Sequence, residues 1–139
     1  MRSPARILIV EDETIVAFNL QQRLAQLGYD VPAVAVSGQE SLDLIEQTRP
    51  DLVLMDIHIE GEMDGIEVAA RLKRDNPVPV IYLTAYSEDS TLERARKTSP
   101  YGYLIKPFSE RELHATIQMA LERHTVQEAL EENRRLLQQ

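Results

Sequence analysis

The chain has no cysteine. Disulfides, thiol catalysis and thiolate metal sites are therefore excluded, and a reducing compartment fits. No apolar run approaches the roughly 20 residues that a membrane-spanning helix needs. Met1-Arg-Ser-Pro-Ala-Arg6 leads straight into an apolar stretch and has no signal-peptide core. The expectation is a cytoplasmic protein with no membrane contact. Basic clusters are also missing, and the net charge is −8. A nucleic-acid surface needs cations to replace counterions, so direct nucleic-acid binding is not expected. There is no internal repeat and no low-complexity segment.

What remains is ordinary for one globular domain: 139 residues, 43% apolar and 27% charged. The informative feature is where the apolar runs end. Leu52 to Met55 is short enough for a strand buried on both faces, and it ends in Asp56. Ile7 to Val10 ends in Glu11-Asp12-Glu13, Val78 to Leu83 ends in Thr84, and Tyr103-Leu-Ile ends in Lys106-Pro107. In an open parallel sheet, sites form outside the carboxyl ends of the strands. Acids, a hydroxyl and a lysine are thus expected together at one sheet edge.

Taken in order, the pattern predicts a strand over 6–10 and a helix over 13–27. That helix carries the stripe Val16, Leu20, Leu24 and Leu27, with Gly28 as its stop. A second strand is expected over 31–36, with Pro32 pointing to an edge position or a late start. Ser37-Gly-Gln-Glu40, Asp64-Gly-Ile-Glu67 and Ser109-Glu-Arg-Glu112 read as capping boxes that open three helices. The helix from Asp64 must end before Asn76-Pro77. Strands are expected over 52–56, 78–83 and 102–105, and a further helix over 88–97. Five strands alternating with five helices argue a doubly wound α/β sheet, parallel and covered on both faces.

The last helix outruns the fold. Leu113, Ile117, Ala120 and Leu121 can pack on the sheet, but beyond His124 the stripe becomes Val126, Leu130, Asn133 and Leu137. That is a heptad seam of about two repeats. So polar a helix is marginal alone in water, so a partner is expected: a second copy or a following domain. Residues 1–124 then form the domain and 125–139 a helical extension or linker, with the chain cut from a longer protein.

Val10-Glu-Asp-Glu13, Leu54-Met-Asp56, Met63-Asp-Gly65, Leu83-Thr-Ala85 and Leu104-Ile-Lys-Pro107 stand in one order and spacing. As a set they resemble the receiver domain of two-component response regulators, whose best-known single-domain member is the chemotaxis regulator. The resemblance covers about 6–123. It implies the flavodoxin-like strand order 2-1-3-4-5. It implies that Asp56 is the phosphoacceptor and that Glu11, Asp12, Asp56 and the backbone carbonyl of His58 hold Mg²⁺. Thr84 and Lys106 would bind the phosphoryl group, and Tyr103 would be the aromatic switch. The Lys106–Pro107 peptide bond is expected to be cis. The phosphoryl donor would be a sensor histidine kinase or phosphotransfer protein. A homodimer is expected through the face of the fourth helix, fifth strand and fifth helix, or through the C-terminal helix. One departure stands out: Glu60 occupies a place where the family usually has proline, and Gly65 comes one residue late.

The chemistry suits these groups. A carboxylate is a workable nucleophile that gives an acyl phosphate. Phosphoryl transfer is catalysed mostly by positioning and charge neutralisation. Mg²⁺ suits an all-oxygen site. Without it, two carboxylates about 5 Å apart repel by roughly 3 kcal/mol at an effective dielectric near 20. Taken singly, each residue has a plainer role: first-turn acids, strand-end caps, a solvated lysine, a core tyrosine. His58, His114 and His124 lack ligand spacing. His58 and Tyr86 flank the acceptor and the threonine, and their bulk is expected to slow loss of the phosphate. The expected function is a phosphoacceptor signalling domain, not an enzyme beyond its own phosphorylation and dephosphorylation. The alternatives are a phosphorylation-independent docking or dimerisation module and, less favoured, a Mg²⁺-dependent phosphatase with an aspartate nucleophile. The phosphatase pattern Asp-x-Asp has His58 where its general acid would stand.

Overall fold

The computed structural model describes residues 4–85 and 89–138. Five parallel strands form one sheet in the order β2-β1-β3-β4-β5. They are β1 (Ile7–Val10), β2 (Val34–Ala35), β3 (Leu52–Asp56), β4 (Val80–Thr84) and β5 (Gly102–Ile105). The helices between and after them are α1 (Thr14–Gln26), α2 (Gly38–Thr48), α3 (Gly65–Asp75), α4 (Asp89–Arg96) and α5 (Glu110–Leu137).

Alternate strand residues face opposite layers, so each strand must be apolar at every position to be covered on both sides. Ile7, Ile9, Leu52, Leu54, Ile81 and Leu83 point to one core, which α1 and α5 close with Leu20, Leu24, Leu113 and Ile117. Leu8, Val10, Val53, Met55, Val80 and Tyr82 point to the other, closed by Ile45 of α2, Val68 and Leu72 of α3 and Ala95 of α4. The predicted stripe of α1 holds at Leu20, Leu24 and Leu27, but at its start Ala17 rather than Val16 is buried. Val16 lines an apolar cleft beside Pro107 and Phe108 instead.

Two strands are shorter than the sequence suggests. β2 keeps only two residues, with an isolated bridge between Arg6 and Asp30 ahead of it. Pro32 has no N–H to give and the strand lies at the sheet edge, so little holds a longer ladder. β4 starts at Val80 because Pro77 and Pro79 interrupt donation, and it extends through Thr84. Gly28 takes φ +93°, which stops α1 as expected.

Asp64 and Ser109 make complete capping boxes with Glu67 and Glu112. Ser37 makes half of one: its hydroxyl accepts from Glu40 N at 3.2 Å, but the Glu40 carboxylate accepts from Val36 N at 2.9 Å. The expected start of α4 at Glu88 lies outside the described residues. Among the described residues no helix is long and apolar enough to cross a membrane.

Candidate functional site

Four strand ends meet at the carboxyl edge of the sheet. Glu11 follows β1, and its backbone N–H donates to Ala35 O at 2.9 Å. Asp56 is the last residue of β3 and Thr84 the last of β4; Glu11, Asp56 and Thr84 are all buried. Lys106 follows β5, tied to β4 by its N–H to Thr84 O at 2.8 Å. The Lys106–Pro107 peptide bond is cis.

The side chains form one charged cluster. Lys106 Nζ lies 2.8 Å from Asp56 Oδ2 and 3.1 Å from Glu11 Oε1. The other Asp56 oxygen accepts from His58 N at 2.9 Å, and the other Glu11 oxygen accepts from Glu13 N at 3.1 Å. One cation thus faces two buried carboxylates. The imbalance appears in the protonation energetics. Burial, then the hydrogen bond and charge of Asp56, push the Glu11 carboxyl up to about 7. Lys106 is held above its ordinary value: burial opposes its charge, but Asp56 and Glu11 together outweigh that.

Carboxylate oxygens of Glu11, Asp12 and Glu13 lie within 4.8 Å of one another. Carboxylates of this density suit a hard divalent cation with oxygen ligands. Glu13 was not among the ligands expected from the sequence. It is exposed, and its backbone serves as the N-cap of α1.

The loop after Asp56 folds back on the site. Glu60 bridges Ser37 in a parallel pair, and Gly61 turns with φ +100°. Gly65 N–H then donates to Ile57 O at 2.8 Å. A Cβ on Gly65 would sit 2.2 Å from Asp56 O and 3.0 Å from Ile57 Cα, so only glycine fits against the end of β3. That packing role of Gly65 was not read from the sequence; the signal available was its place after Asp64 at a helix start.

Tyr103 stands apart from the charged cluster. It is 37% exposed, in a surface cavity with Leu92, Glu93, Arg96 and Ile105. In register it faces Tyr82, with ring centroids 6.0 Å apart. His58 lends the site its backbone N–H while its side chain is exposed. Tyr86 lies outside the described residues.

Comparisons with known proteins bear on the family and the fold. The family model of the response regulator receiver domain matches residues 7–118. The transcriptional regulatory protein PdtaR of Mycobacterium tuberculosis is 38% identical over 128 residues, covering 92% of this chain and 62% of its own length. The transcriptional regulatory protein AfsQ1 of Streptomyces coelicolor is 34% identical, over 84% of this chain and 51% of its own. This chain therefore spans about half to three fifths of the length of these relatives. Among solved structures, the signal receiver domain of a modulated diguanylate cyclase from Desulfovibrio desulfuricans superposes with a TM-score of 0.84 at 38% identity. It covers 88% of this chain and 98% of that one.

Proposed function

This chain belongs to the response regulator receiver family of two-component systems, and from that premise we propose that Asp56 is its phosphoacceptor. The carrying observation is the contact of Lys106 Nζ with Asp56 Oδ2 at 2.8 Å, beside buried Glu11. A remaining lone pair on an Asp56 carboxylate oxygen can attack a phosphoryl phosphorus in line as the donor's leaving group departs, giving an acyl phosphate. Lys106 stays charged and neutralises the oxygens of the transferred group, and Thr84 offers them a hydroxyl.

Glu11, Asp12, Asp56 and the backbone carbonyl of His58 would hold Mg²⁺, which when bound neutralises charge on the phosphoryl oxygens. The protein's own part is to keep the acceptor oriented: His58 N–H fixes one oxygen of Asp56 and Lys106 the other. The donor would be a phosphohistidine on a sensor histidine kinase or phosphotransfer protein. Such self-phosphorylation and dephosphorylation is the only catalysis assigned to the chain, in a cytoplasmic setting.

The output would be a changed surface. Attraction of Thr84 to the phosphoryl group would vacate space beside Tyr82, into which Tyr103 can turn from its half-exposed place. Residues 1–124 would form the receiver unit and 125–139 a helical extension, with a second copy met through α4, β5 and α5 or through the extension.

Incubation with Mg²⁺ and acetyl phosphate, read by intact mass beside Asp56→Asn, tests the acceptor. One added phosphoryl group in the parent and none in the variant is the expected result. Equal gain in both would move the acceptor elsewhere. No gain in the parent, from acetyl phosphate or a phosphorylated kinase, would favour a phosphorylation-independent docking module.

A further inference from the structure

Helix α5 leaves the body of the domain at a definite place. Its last buried residue is Leu121, and from Thr125 to Gln138 every residue is exposed. The turn between is gripped from below the sheet by Tyr101, the residue just before β5. The Tyr101 hydroxyl is 3.3 Å from His124 Nδ1 and donates to Gln127 Oε1. The His124 ring meets the Tyr101 ring edge-on, with centroids 5.8 Å apart and planes at 72°. Arg123 lies over the same ring, its Cζ 4.7 Å from the centroid. Tyr101 thus holds three side chains spanning the turn at which the helix parts from the core.

Tyr101 is itself fixed. Its N–H donates to Val80 O at 2.8 Å, and burial raises its hydroxyl above the ordinary tyrosine value. The next four residues are β5, hydrogen-bonded to β4 from Gly102 to Ile105. The residue after β5 is Lys106, in contact with Asp56. One short strand therefore has the candidate phosphoryl site at one end and the grip on α5 at the other.

We propose that Tyr101 is the joint that fixes the direction of α5 beyond His124, and that β5 ties this joint to Lys106 and Asp56. The second half rests on the phosphoacceptor reading of Asp56. A free helix of about a dozen polar residues pivots and frays at its root, whereas three side chains on a fixed ring leave it one direction. A displacement of Lys106 along β5 would then turn the exposed seam of Val126, Leu130 and Leu137 as one lever. Tyr101 is a positioning residue here, since it touches neither Asp56 nor its charged partners.

The absence of cysteine allows a direct test, because two introduced cysteines are the only thiols. Spin labels on Gln47→Cys in α2 and Arg135→Cys in α5 report the helix direction as an interspin distance distribution. The labelled chain is diluted with unlabelled protein so that only pairs within one chain are read. The parent should give one narrow distribution. Tyr101→Ala should widen it at least about twofold, and Tyr101→Phe, which keeps the ring under Arg123, by less. His124→Ala with Gln127→Ala removes two of the three contacts from the helix side alone and should widen it, by less than Tyr101→Ala does, even if the latter disturbs the sheet. Unchanged widths in the His124/Gln127 variant would overturn the joint. In parent protein whose mass shows the added phosphoryl group, the mean distance should shift, and Tyr101→Phe should reduce the shift. Phosphorylated parent with no shift would overturn the tie through β5. A parent that gains no mass fails the phosphoacceptor reading instead, while the widths without phosphate still decide the joint.

Discussion

Lys106 Nζ stands 2.8 Å from Asp56 Oδ2, although fifty positions separate the two residues. The contact exists because β3 and β5 flank β4 in parallel and end at the same edge. Replacing Lys106 with methionine keeps the length of the stem and removes the charge. Asp56 and Glu11 would then face each other uncompensated. Breaking a fully buried pair costs about 3–5 kcal/mol, and partial exposure of the lysine reduces this to about 1–2 kcal/mol. Urea melts of Lys106→Met without metal should show that loss. The rate of mass gain from acetyl phosphate should fall in the same variant.

Mg²⁺ should stabilise the fold, and more so at higher pH. The Glu11 carboxyl is raised from 4.5 to about 7, so the folded state binds the proton more tightly than the unfolded chain does. Without metal, that group therefore makes stability fall as pH climbs from about 4.5 through about 7. A cation on the deprotonated carboxylates competes with that proton. At tenfold the dissociation constant, linkage contributes about 1.4 kcal/mol. Thermal melts with millimolar Mg²⁺ should rise by several degrees at pH 8 and distinctly less at pH 6. In Glu11→Gln the difference between the two pH values should shrink.

Gly65→Ala should be a damaging substitution, because Gly65 is the buried first residue of α3. The added methyl would lie 2.2 Å from the carbonyl oxygen of Asp56. Either the start of α3 or the end of β3 must move. A loss on the order of 2–3 kcal/mol is expected, as for overpacking in a core. Phosphoryl uptake should slow even at temperatures where circular dichroism shows the variant folded. A variant with parent-like stability and uptake would contradict the tight approach.

Tyr82→Phe probes the other face. The Tyr82 hydroxyl is 2.6 Å from Thr98 Oγ1, just past the end of α4, and burial pushes its pKa up to about 12. Thr98 keeps a bond to Ala95 O at 2.6 Å, so the variant leaves no orphaned group. The expected cost is about 1 kcal/mol in a denaturant melt. Amide exchange over residues 95–99 should quicken more than exchange in β1 and β3.

Much of this molecule could be read without coordinates, and the reason is local. A strand buried on both faces must be apolar throughout, so Leu52 to Met55 and Ile7 to Val10 declare themselves, and the first polar residue after each marks the sheet edge. Capping boxes at Asp64 and Ser109 are likewise written within four residues. Where two local rules compete, the reading slipped. Pro79 cuts a strand that hydrophobicity alone would extend, and the Glu40 carboxylate chose Val36 N over Ser37 N.

Other features rest on distances between residues remote in sequence. The spacing of motifs placed Glu11, Asp56 and Lys106 at one edge, but only the tertiary fold decided that a single ammonium faces two buried carboxylates, and that burial beside Asp56 pushes the Glu11 carboxyl up to about 7. Only the fold packs Gly65 against the backbone of Asp56 and seats Tyr101 under Arg123, His124 and Gln127. Periodicity records which residues share a face. It carries no information about the ångström-scale approach of one element to another, and burial and electrostatics are set at that scale.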